Sequence, residues 1–130
     1  MILGTGIDMV EIARIKALHD KQGEAFEARI LTEQERSYIN ASEPHKIARF
    51  AKRFAAKEAA AKAMGKGIGE NARFTDIEVI KDDAGKPSLQ FHGKAQLWME
   101  LRKATAHLSL SDDGGFAIAQ VIIEAPSDSA

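Results

Sequence analysis

The apolar residues of this chain recur with helical spacing in several segments. The predicted helices cover residues 11–21, 26–30, 32–40, 45–64 and 93–103. Thr32, with Glu35 three residues later, has the pattern of a capping box, and Gly65 marks the end of the longest helix. The last helix is expected to turn three large side chains toward the core, those of Leu97, Trp98 and Leu101.

Other short segments are alternating or continuously apolar, which predicts β-strands. They cover residues 2–10, 74–81, 88–91, 107–111 and 116–124, and the first is expected to end at Asp8. Turn sequences at 82–87 and 112–115 predict antiparallel hairpins. Because helices and hairpins alternate without a βαβ repeat, the fold class is α+β. We expect a single domain over residues 1–124 and a frayed tail over 125–130.

Composition narrows the class of protein. The chain has 130 residues, of which 45% are hydrophobic and 28% charged, which is typical of one soluble globular domain. It has no cysteine, which excludes disulfides and thiolate metal sites. The first residues lack the basic stretch of a signal peptide, and no apolar run is long enough to span a membrane. We therefore expect a cytoplasmic protein without a membrane partner. The net charge of −1 argues against a general nucleic-acid binder.

The longest predicted helix is strongly cationic. Between residues 44 and 66 the only acid is Glu58, and the cations are Lys46, Arg49, Lys52, Arg53, Lys57, Lys62 and Lys66. This concentration in a near-neutral chain indicates a particular anionic ligand, although a solvated helix face is about as common. Glu58 and Lys62 lie one turn apart and share a face, a spacing that usually means an exposed ion pair.

Two further features favour a phosphate site over a simple ion pair. The alanines around Glu58 allow another backbone segment to approach closely. The helix also leads into a glycine-rich loop, residues 65–69, that can present N–H groups to an anion. The loop lacks the Walker pattern, so that signal is weak by itself.

Asp8 allows two interpretations. A carboxylate after an apolar strand most often caps the helix that follows. Alternatively it is a metal ligand, because a Mg²⁺ ion that bridges phosphates needs only one or two protein carboxylates. Asp8 together with Glu58 would meet that requirement.

A polar stripe is predicted on a strand near the end of the chain. His107, Ser109 and Ser111 alternate with leucines, so one strand face carries an imidazole and two hydroxyls. That face suits phosphate or ribose binding, and it equally suits the solvent side of an amphipathic strand.

Together these segments resemble the holo-acyl-carrier-protein synthase family, the small 4′-phosphopantetheinyl transferases. The matching stretches are GTGIDMVEIARI (4–15), RILTEQE (29–35), RFAAKEAAAKAMGKGIG (53–69), FTDIEVIKDDAGKPSLQFHGKA (74–95) and HLSLSDDGGFAIAQVIIE (107–124). One departure is Asp112, where many members carry histidine. The resemblance implies the 4′-phosphopantetheinyl transferase fold, an antiparallel sheet packed against a long central helix. It also implies a compact homotrimer with active sites at the subunit junctions.

The resemblance further implies a reaction in fatty acid biosynthesis. Coenzyme A donates its phosphopantetheine arm to a serine hydroxyl of apo acyl carrier protein and leaves as adenosine 3′,5′-bisphosphate. By similarity, Asp8 and Glu58 bind Mg²⁺, Lys62 binds the reacting phosphate, and Glu58 or a metal-bound water accepts the serine proton. The residues assigned to the nucleotide and its 3′-phosphate are Arg53, Gly65, Lys66, Gly67, His107 and Ser109. Those assigned to the acidic carrier protein are Arg14, Lys21 and Arg29.

Two other hypotheses compete with this one. A non-catalytic adaptor module could bind coenzyme A or another nucleotide through the basic helix, and its binding would then depend on neither Asp8 nor Mg²⁺. The larger, broad-specificity relatives resemble two fused copies of this domain. They are disfavoured, because the chain is short and has no internal repeat.

Overall fold

A computed structural model describes residues 1–69 and 72–127 of the chain. The strands are β1 (Ile2–Glu11), β2 (Ile77–Lys81), β3 (Pro87–Phe91), β4 (Thr105–Asp113) and β5 (Phe116–Glu124). The helices are α1 (Ile12–Gln22), α2 (Glu24–Ile30), α3 (Glu33–Asn40), α4 (Lys46–Ala63) and α5 (Gly93–Leu101). Short 3₁₀ turns cover Glu43–His45 and Phe74–Asp76. The elements confirm the α+β class.

Three strands form an antiparallel sheet in the order β1-β5-β4, and β2 pairs with β3 in a separate hairpin. The register of the sheet fixes which side chains share a face. Asp8 of β1 lies opposite Ala119 of β5, which in turn lies opposite Leu110 of β4. The buried residues of β5 on this face are Ala117, Ala119, Val121 and Ile123. This inner face packs against α4, as the expected sheet-on-helix arrangement requires.

Glycine and alanine permit an unusually close approach between β1 and α4. A Cβ atom added to Gly4 would lie 2.0 Å from the carbonyl oxygen of Ala63, and one added to Gly6 would lie 2.0 Å from that of Ala59. Both distances are far inside van der Waals contact, so only glycine fits at either position. The prediction that the alanines of this helix admit another backbone segment is confirmed.

A buried ion pair joins α4 to the capping box of α3. The Nζ atom of Lys57 donates to Oε1 of Glu35 at 2.7 Å and to the carbonyl oxygen of Phe74 at 2.9 Å. Glu35 also accepts from the N–H of Thr32 at 2.9 Å, which completes the predicted capping box, and from the N–H of Val79 at 2.8 Å. Lys57 is therefore an internal cation of the fold and adds nothing to a surface for anions.

A second buried carboxylate, that of Glu27, ties the four N-terminal helices together. Its partners are His19 of α1 at 2.6 Å, Arg36 of α3 at 3.5 Å and Lys46 of α4 at 3.1 Å. Burial alone would raise the pKa of Glu27, but hydrogen bonds from His19, Lys46 and Asn40 outweigh it and lower the pKa to about 2.

Some expectations about the elements are wrong in detail. Asp8 lies within β1, which continues to Glu11, and Phe74–Asp76 forms a turn ahead of β2. Leu97 and Leu101 of α5 are 56% and 73% exposed, because the small Ala95 and the flexible Met99 occupy the core side instead. Of the helices in the described ranges, not one has both the length and the apolarity needed to cross a membrane.

The expected C-terminal tail lies only partly within the described residues. Ala125 is held to the first residue of the chain, since the amino group of Met1 donates to its carbonyl oxygen at 2.8 Å and its own N–H donates back at 2.9 Å. Residues 128–130 of the tail lie outside the described residues.

Candidate active site

Asp8 meets α4 at the inner face of the sheet. Its Oδ1 atom accepts a hydrogen bond from Nζ of Lys62 at 3.0 Å, and the same ammonium donates to the carbonyl oxygen of Ile7 at 3.1 Å. The residue that precedes α1 is Glu11, and no side chain caps that helix. The capping interpretation of Asp8 is therefore wrong, and its carboxylate belongs to a site shared with α4.

Glu58 belongs to the same site. Burial, followed by the negative charge of Asp8, raises the pKa of Glu58, while the cations Lys62 and Arg14 act in the opposite direction. The ammonium of Lys62 pairs with Asp8 across the two elements, so the expected exposed pair within the helix is replaced by a contact between β1 and α4. Two carboxylates and one cation are thereby brought together from residues far apart in sequence.

This carboxylate pair suits a hard divalent ion. Asp8 and Glu58 offer oxygen ligands, which Mg²⁺ prefers, and their mutual repulsion favours a cation between them. Within residues 1–69 and 72–127, no cluster of three or more acidic or histidine side chains could hold a metal. A site of two carboxylates fits Mg²⁺, because that ion takes its other ligands from phosphate and water.

The glycine-rich loop after α4 ends the helix. The N–H of Gly65 donates to the carbonyl oxygen of Lys62 at 2.9 Å, and that of Gly67 donates to the carbonyl oxygen of Ala61 at 3.1 Å. Both glycines have positive φ, 103° and 72°, as helix-terminating positions often do. A role of Gly65, Lys66 and Gly67 in binding the nucleotide stays a prediction.

Arg53 lies on another side of α4. Five residues separate it from Glu58, which is a rotation of about 140° around the helix. The side chain is 2% exposed, and its guanidinium lies 4.4 Å from the ring centroid of Tyr38. Nη1 donates to the carbonyl oxygen of Arg49 at 3.2 Å, whereas Nε has no hydrogen-bond partner among the described residues. Arg53 is thus separated from the carboxylates within one chain.

His107 and Ser109 are likewise separated from Asp8. They pair with Ile122 and Gln120 of β5, so they lie on the outer face of the sheet, while Asp8 lies on the inner face. Nε2 of His107 lies 2.8 Å from Oε1 of Glu124. The predicted alternation of polar and leucine side chains along this strand is confirmed.

The three cations assigned to a carrier protein are exposed on the first two helices. Arg14 and Lys21 lie on α1 and Arg29 lies on α2, where it stacks over the ring of Phe26 at 5.5 Å. Arg14 is the one close enough to affect the pKa of Glu58. It therefore lies at the edge of the candidate site, whereas a role for the other two stays a prediction.

Sequence reasoning missed a group of residues around Tyr38. Arg49, Arg53 and Lys81 all lie over its ring, and Lys52 forms an ion pair with Asp112 at 3.4 Å nearby. The cationic character of the helix was a partial signal. The single tyrosine of α3, Tyr38, gave no signal in the sequence, because its contacts with these cations depend on how α3 packs against α4.

Comparison with known proteins shows the family of this chain. Residues 4–121 match the family model of the 4′-phosphopantetheinyl transferase superfamily. The chain belongs to this superfamily.

Similar proteins include several holo-[acyl-carrier-protein] synthases. The protein of that name from Trichlorobacter lovleyi is 48% identical over 129 residues, which cover 97% of this chain and 100% of the relative. The crystal structure of the Neisseria meningitidis protein has a TM-score of 0.88 and 38% identity, covering 95% of this chain and 99% of that one. The Bacillus anthracis protein, solved in complex with CoA (3′,5′-ADP), has a TM-score of 0.82 and 42% identity, covering 97% and 99%.

Proposed function

We propose that this protein transfers the 4′-phosphopantetheine group of coenzyme A to a serine of an apo acyl carrier protein. The serine oxygen forms a bond to the phosphorus that bears the pantetheine. The bond from that phosphorus to the bridging oxygen breaks, and adenosine 3′,5′-bisphosphate leaves. The observation that carries the proposal is the convergence of Asp8, Glu58 and Lys62 in a member of the transferase superfamily.

The three side chains have complementary roles in this reaction. Lys62 places a cation beside Asp8, where it can neutralise an oxygen of the diphosphate. Asp8 and Glu58 would hold Mg²⁺, which would supply further neutralisation of the transferred phosphate and the leaving group. Glu58, or a metal-bound water that it orients, accepts the serine proton.

The residues assigned to the nucleotide favour a binding site between the subunits of a homotrimer. Arg53, His107 and Ser109 lie away from the carboxylates within one chain, so one nucleotide can reach both groups when a neighbouring copy supplies the second. The outer face of the sheet supports such an assembly, because Ile7 and Met9 are 62% and 61% exposed there. An apolar sheet face of this kind is typical of a subunit interface.

The partner in the reaction is an acidic carrier protein. Arg14 lies beside Glu58, so a carrier that binds Arg14 would bring its serine near the proposed base. Lys21 and Arg29 extend the cationic surface along α1 and α2, which would speed association through electrostatic attraction. The proposed setting is fatty acid biosynthesis in the cytoplasm.

Mass spectrometry tests the proposed activity. Purified protein is incubated with coenzyme A, Mg²⁺ and apo carrier protein, and the carrier should gain the mass of phosphopantetheine. Asp8→Ala and Glu58→Ala should each slow transfer by at least about 10³-fold while the protein stays folded. A carrier left unmodified by the wild-type protein, beside an active transferase as positive control, would refute the proposal.

Calorimetry separates this proposal from a non-catalytic adaptor. If the protein is a transferase that uses Asp8 and Glu58, coenzyme A should bind more weakly when a chelator removes Mg²⁺. It should also bind more weakly when Asp8 is replaced. An adaptor would bind coenzyme A equally well under all of these conditions.

A further inference from the structure

Lys62 makes two contacts with β1, and one of them is with a candidate metal ligand. Its Nζ atom donates to Oδ1 of Asp8 at 3.0 Å and to the carbonyl oxygen of Ile7 at 3.1 Å. An ammonium group has three N–H donors, so β1 takes two of them. The ammonium therefore occupies an oxygen atom of Asp8 that a metal ion at this site would bind.

The two carboxylates of the site differ in their partners. Asp8 holds the ammonium of Lys62, whereas none of the hydrogen bonds and ion pairs between described residues involves Glu58. The negative charge of Asp8 still reaches Glu58, because it helps to raise the pKa of that carboxyl. Lys62 thus neutralises one member of the pair and leaves the other without a cation bonded to it.

Lys62 is freer to move than the carboxylate that it contacts. The backbone of β1 lies against α4 at Gly6, where an added Cβ would be 2.0 Å from the carbonyl oxygen of Ala59. The side chain of Asp8 is 16% exposed and that of Lys62 is 50% exposed. The flexible stem of a lysine can carry its ammonium to a new partner without any change in the backbone. Lys62 is therefore the group that can leave this contact.

The ammonium of Lys62 competes with a divalent ion for Asp8. Both are positive and both need the same carboxylate oxygen, so each repels the other at a separation of a few ångströms. The diphosphate of coenzyme A offers the ammonium another anionic partner, with charge-assisted hydrogen bonds of comparable strength. When Lys62 donates to the diphosphate instead, Oδ1 of Asp8 is released as a metal ligand.

We propose that Lys62 controls access of the metal to Asp8, covering the carboxylate in the free protein and moving to the diphosphate when coenzyme A binds. The inference rests on the proposed function and adds a coupling between its two ligands. The free protein should bind the metal weakly, and its complex with coenzyme A should bind it more tightly. Coupling of this kind is reciprocal, so the metal strengthens coenzyme A binding by the same factor.

Metal binding by the free protein tests this role without any carrier protein or turnover. We would titrate the protein with Mn²⁺, which takes the same oxygen ligands as Mg²⁺, and measure the free ion by its EPR signal. The titration is repeated with coenzyme A, and coenzyme A without protein gives the background. Lys62→Met removes the ammonium, and Lys62→Gln removes it with a polar side chain, which tests the site even where Lys62→Met does not fold.

Arg14→Met is the matched control for the loss of one positive charge. Arg14 acts on Glu58 through its charge, but no hydrogen bond between described residues joins it to Asp8 or to Glu58. A second control adds Asp8→Asn to Lys62→Met, which removes the carboxylate that the ammonium is proposed to cover.

The expected result is tighter metal binding when the lysine is lost. Without coenzyme A, both Lys62 variants should bind Mn²⁺ roughly 5- to 30-fold more tightly than wild type, and Arg14→Met less than about threefold. Addition of Asp8→Asn should abolish the gain. With coenzyme A the gain should shrink to about twofold or less, because the ligand has already drawn the ammonium from Asp8 in the wild-type protein.

Three results would overturn the inference: Mn²⁺ binding that is unchanged or weaker in the free Lys62 variants, an equal gain with and without coenzyme A, or an equal gain in Arg14→Met. A lysine that only contacts phosphate, or only supports the fold, would not tighten metal binding by the free protein. Failure of the proposed function is a separate outcome. A protein that shows the expected shifts and modifies no carrier would refute the transferase and keep this role of Lys62.

Discussion

Glu58 is held at a cost to stability. Burial and the charge of Asp8 raise its pKa above the ordinary value, so the folded protein retains the proton to a higher pH than the unfolded chain does. Stability from this group is therefore complete at low pH and is lost as pH rises through the folded pKa. We expect Glu58→Gln, with chelator present, to raise the melting temperature near pH 7 by about 1–3 °C.

The pH dependence of that difference identifies its cause. The gain in melting temperature over wild type should shrink as pH falls below 4.5, the ordinary pKa, because Glu58 then becomes protonated in both states. Glu33→Gln, an exposed position on α3, serves as the control and should show no such trend. A wild-type protein more stable than Glu58→Gln at neutral pH would contradict this account of the site.

At the scale of single residues, the sequence was a better guide to which residues form the candidate site than to which residues they contact. Asp8 and Glu58 were predicted from their type and setting to share a site, and the structure brings them together. The contact of Lys62 with Asp8 could not be predicted, because it depends on how closely β1 packs on α4. Arg53 and Lys57 looked like surface cations, and both are buried, since a helix surrounded by other elements has several inward faces.

At the scale of elements, the approach of β1 to α4 depends on Gly6. An added Cβ would lie 2.0 Å from the carbonyl oxygen of Ala59, and neither backbone segment can yield without opening the core. We expect Gly6→Ala to lower the free energy of unfolding by about 2–4 kcal/mol and to cut transfer activity sharply, because Asp8 moves away from Glu58. Denaturant unfolding and the mass assay would measure the two effects.

Gly23 provides a matched control for that substitution. It joins α1 to α2 at φ of 55°, and a Cβ there would meet nothing within 4 Å. Gly23→Ala should therefore cost only the backbone strain, on the order of 1–3 kcal/mol, and leave activity per folded molecule unchanged. Gly6 has no positive φ, so an equal loss of activity per folded molecule in the two variants would contradict a specific requirement for the close approach of β1 to α4.

Glu27 links the N-terminal helices through charge. Its pKa of about 2 lies below the ordinary value of 4.5, so its contribution to stability is complete above pH 4.5 and is lost as pH falls toward 2. Glu27→Gln should lose about 3 kcal/mol at pH 7, because His19 and Lys46 lose their anionic partner. Unfolding from pH 7 to pH 2.5 should show a shallower decline in the variant, and parallel curves would contradict this assignment.

The periodicity of the hydrophobic residues was enough to predict most helices and strands. The capping pattern predicted the capping box formed by Thr32 and Glu35. They failed where the pattern allowed more than one face to be buried. In α5 the core side carries Ala95 and Met99, with Trp98 packed beside them, and Leu97 and Leu101 lie outside. A pattern of apolar residues shows which faces of a helix could be buried, and the space left by neighbouring elements decides which face is.

At the scale of the whole molecule, the sequence could not show that its motifs would separate onto two surfaces. The register of β1-β5-β4 turns His107 and Ser109 away from Asp8, and the helical rotation turns Arg53 away from Glu58. Either relation requires the pairing and packing of distant segments. The resemblance implied a homotrimer with sites between subunits. That assembly stays a prediction, and the separation of the two surfaces within one chain is what it would require.

Mixing two inactive variants tests whether the active site is shared between copies. Glu58→Ala lacks one surface of the site, and the double variant His107→Ala with Ser109→Ala lacks the other. In a closed ring where each site uses one surface from each of two neighbours, random mixing restores an intact site about one time in four.

We therefore expect subunits unfolded together and refolded as a mixture to recover roughly a quarter of wild-type transfer, measured by carrier mass, with each variant refolded alone as control. Activity no greater than the sum of the separate variants would mean that each chain completes its own site, and the homotrimer would then be irrelevant to the chemistry.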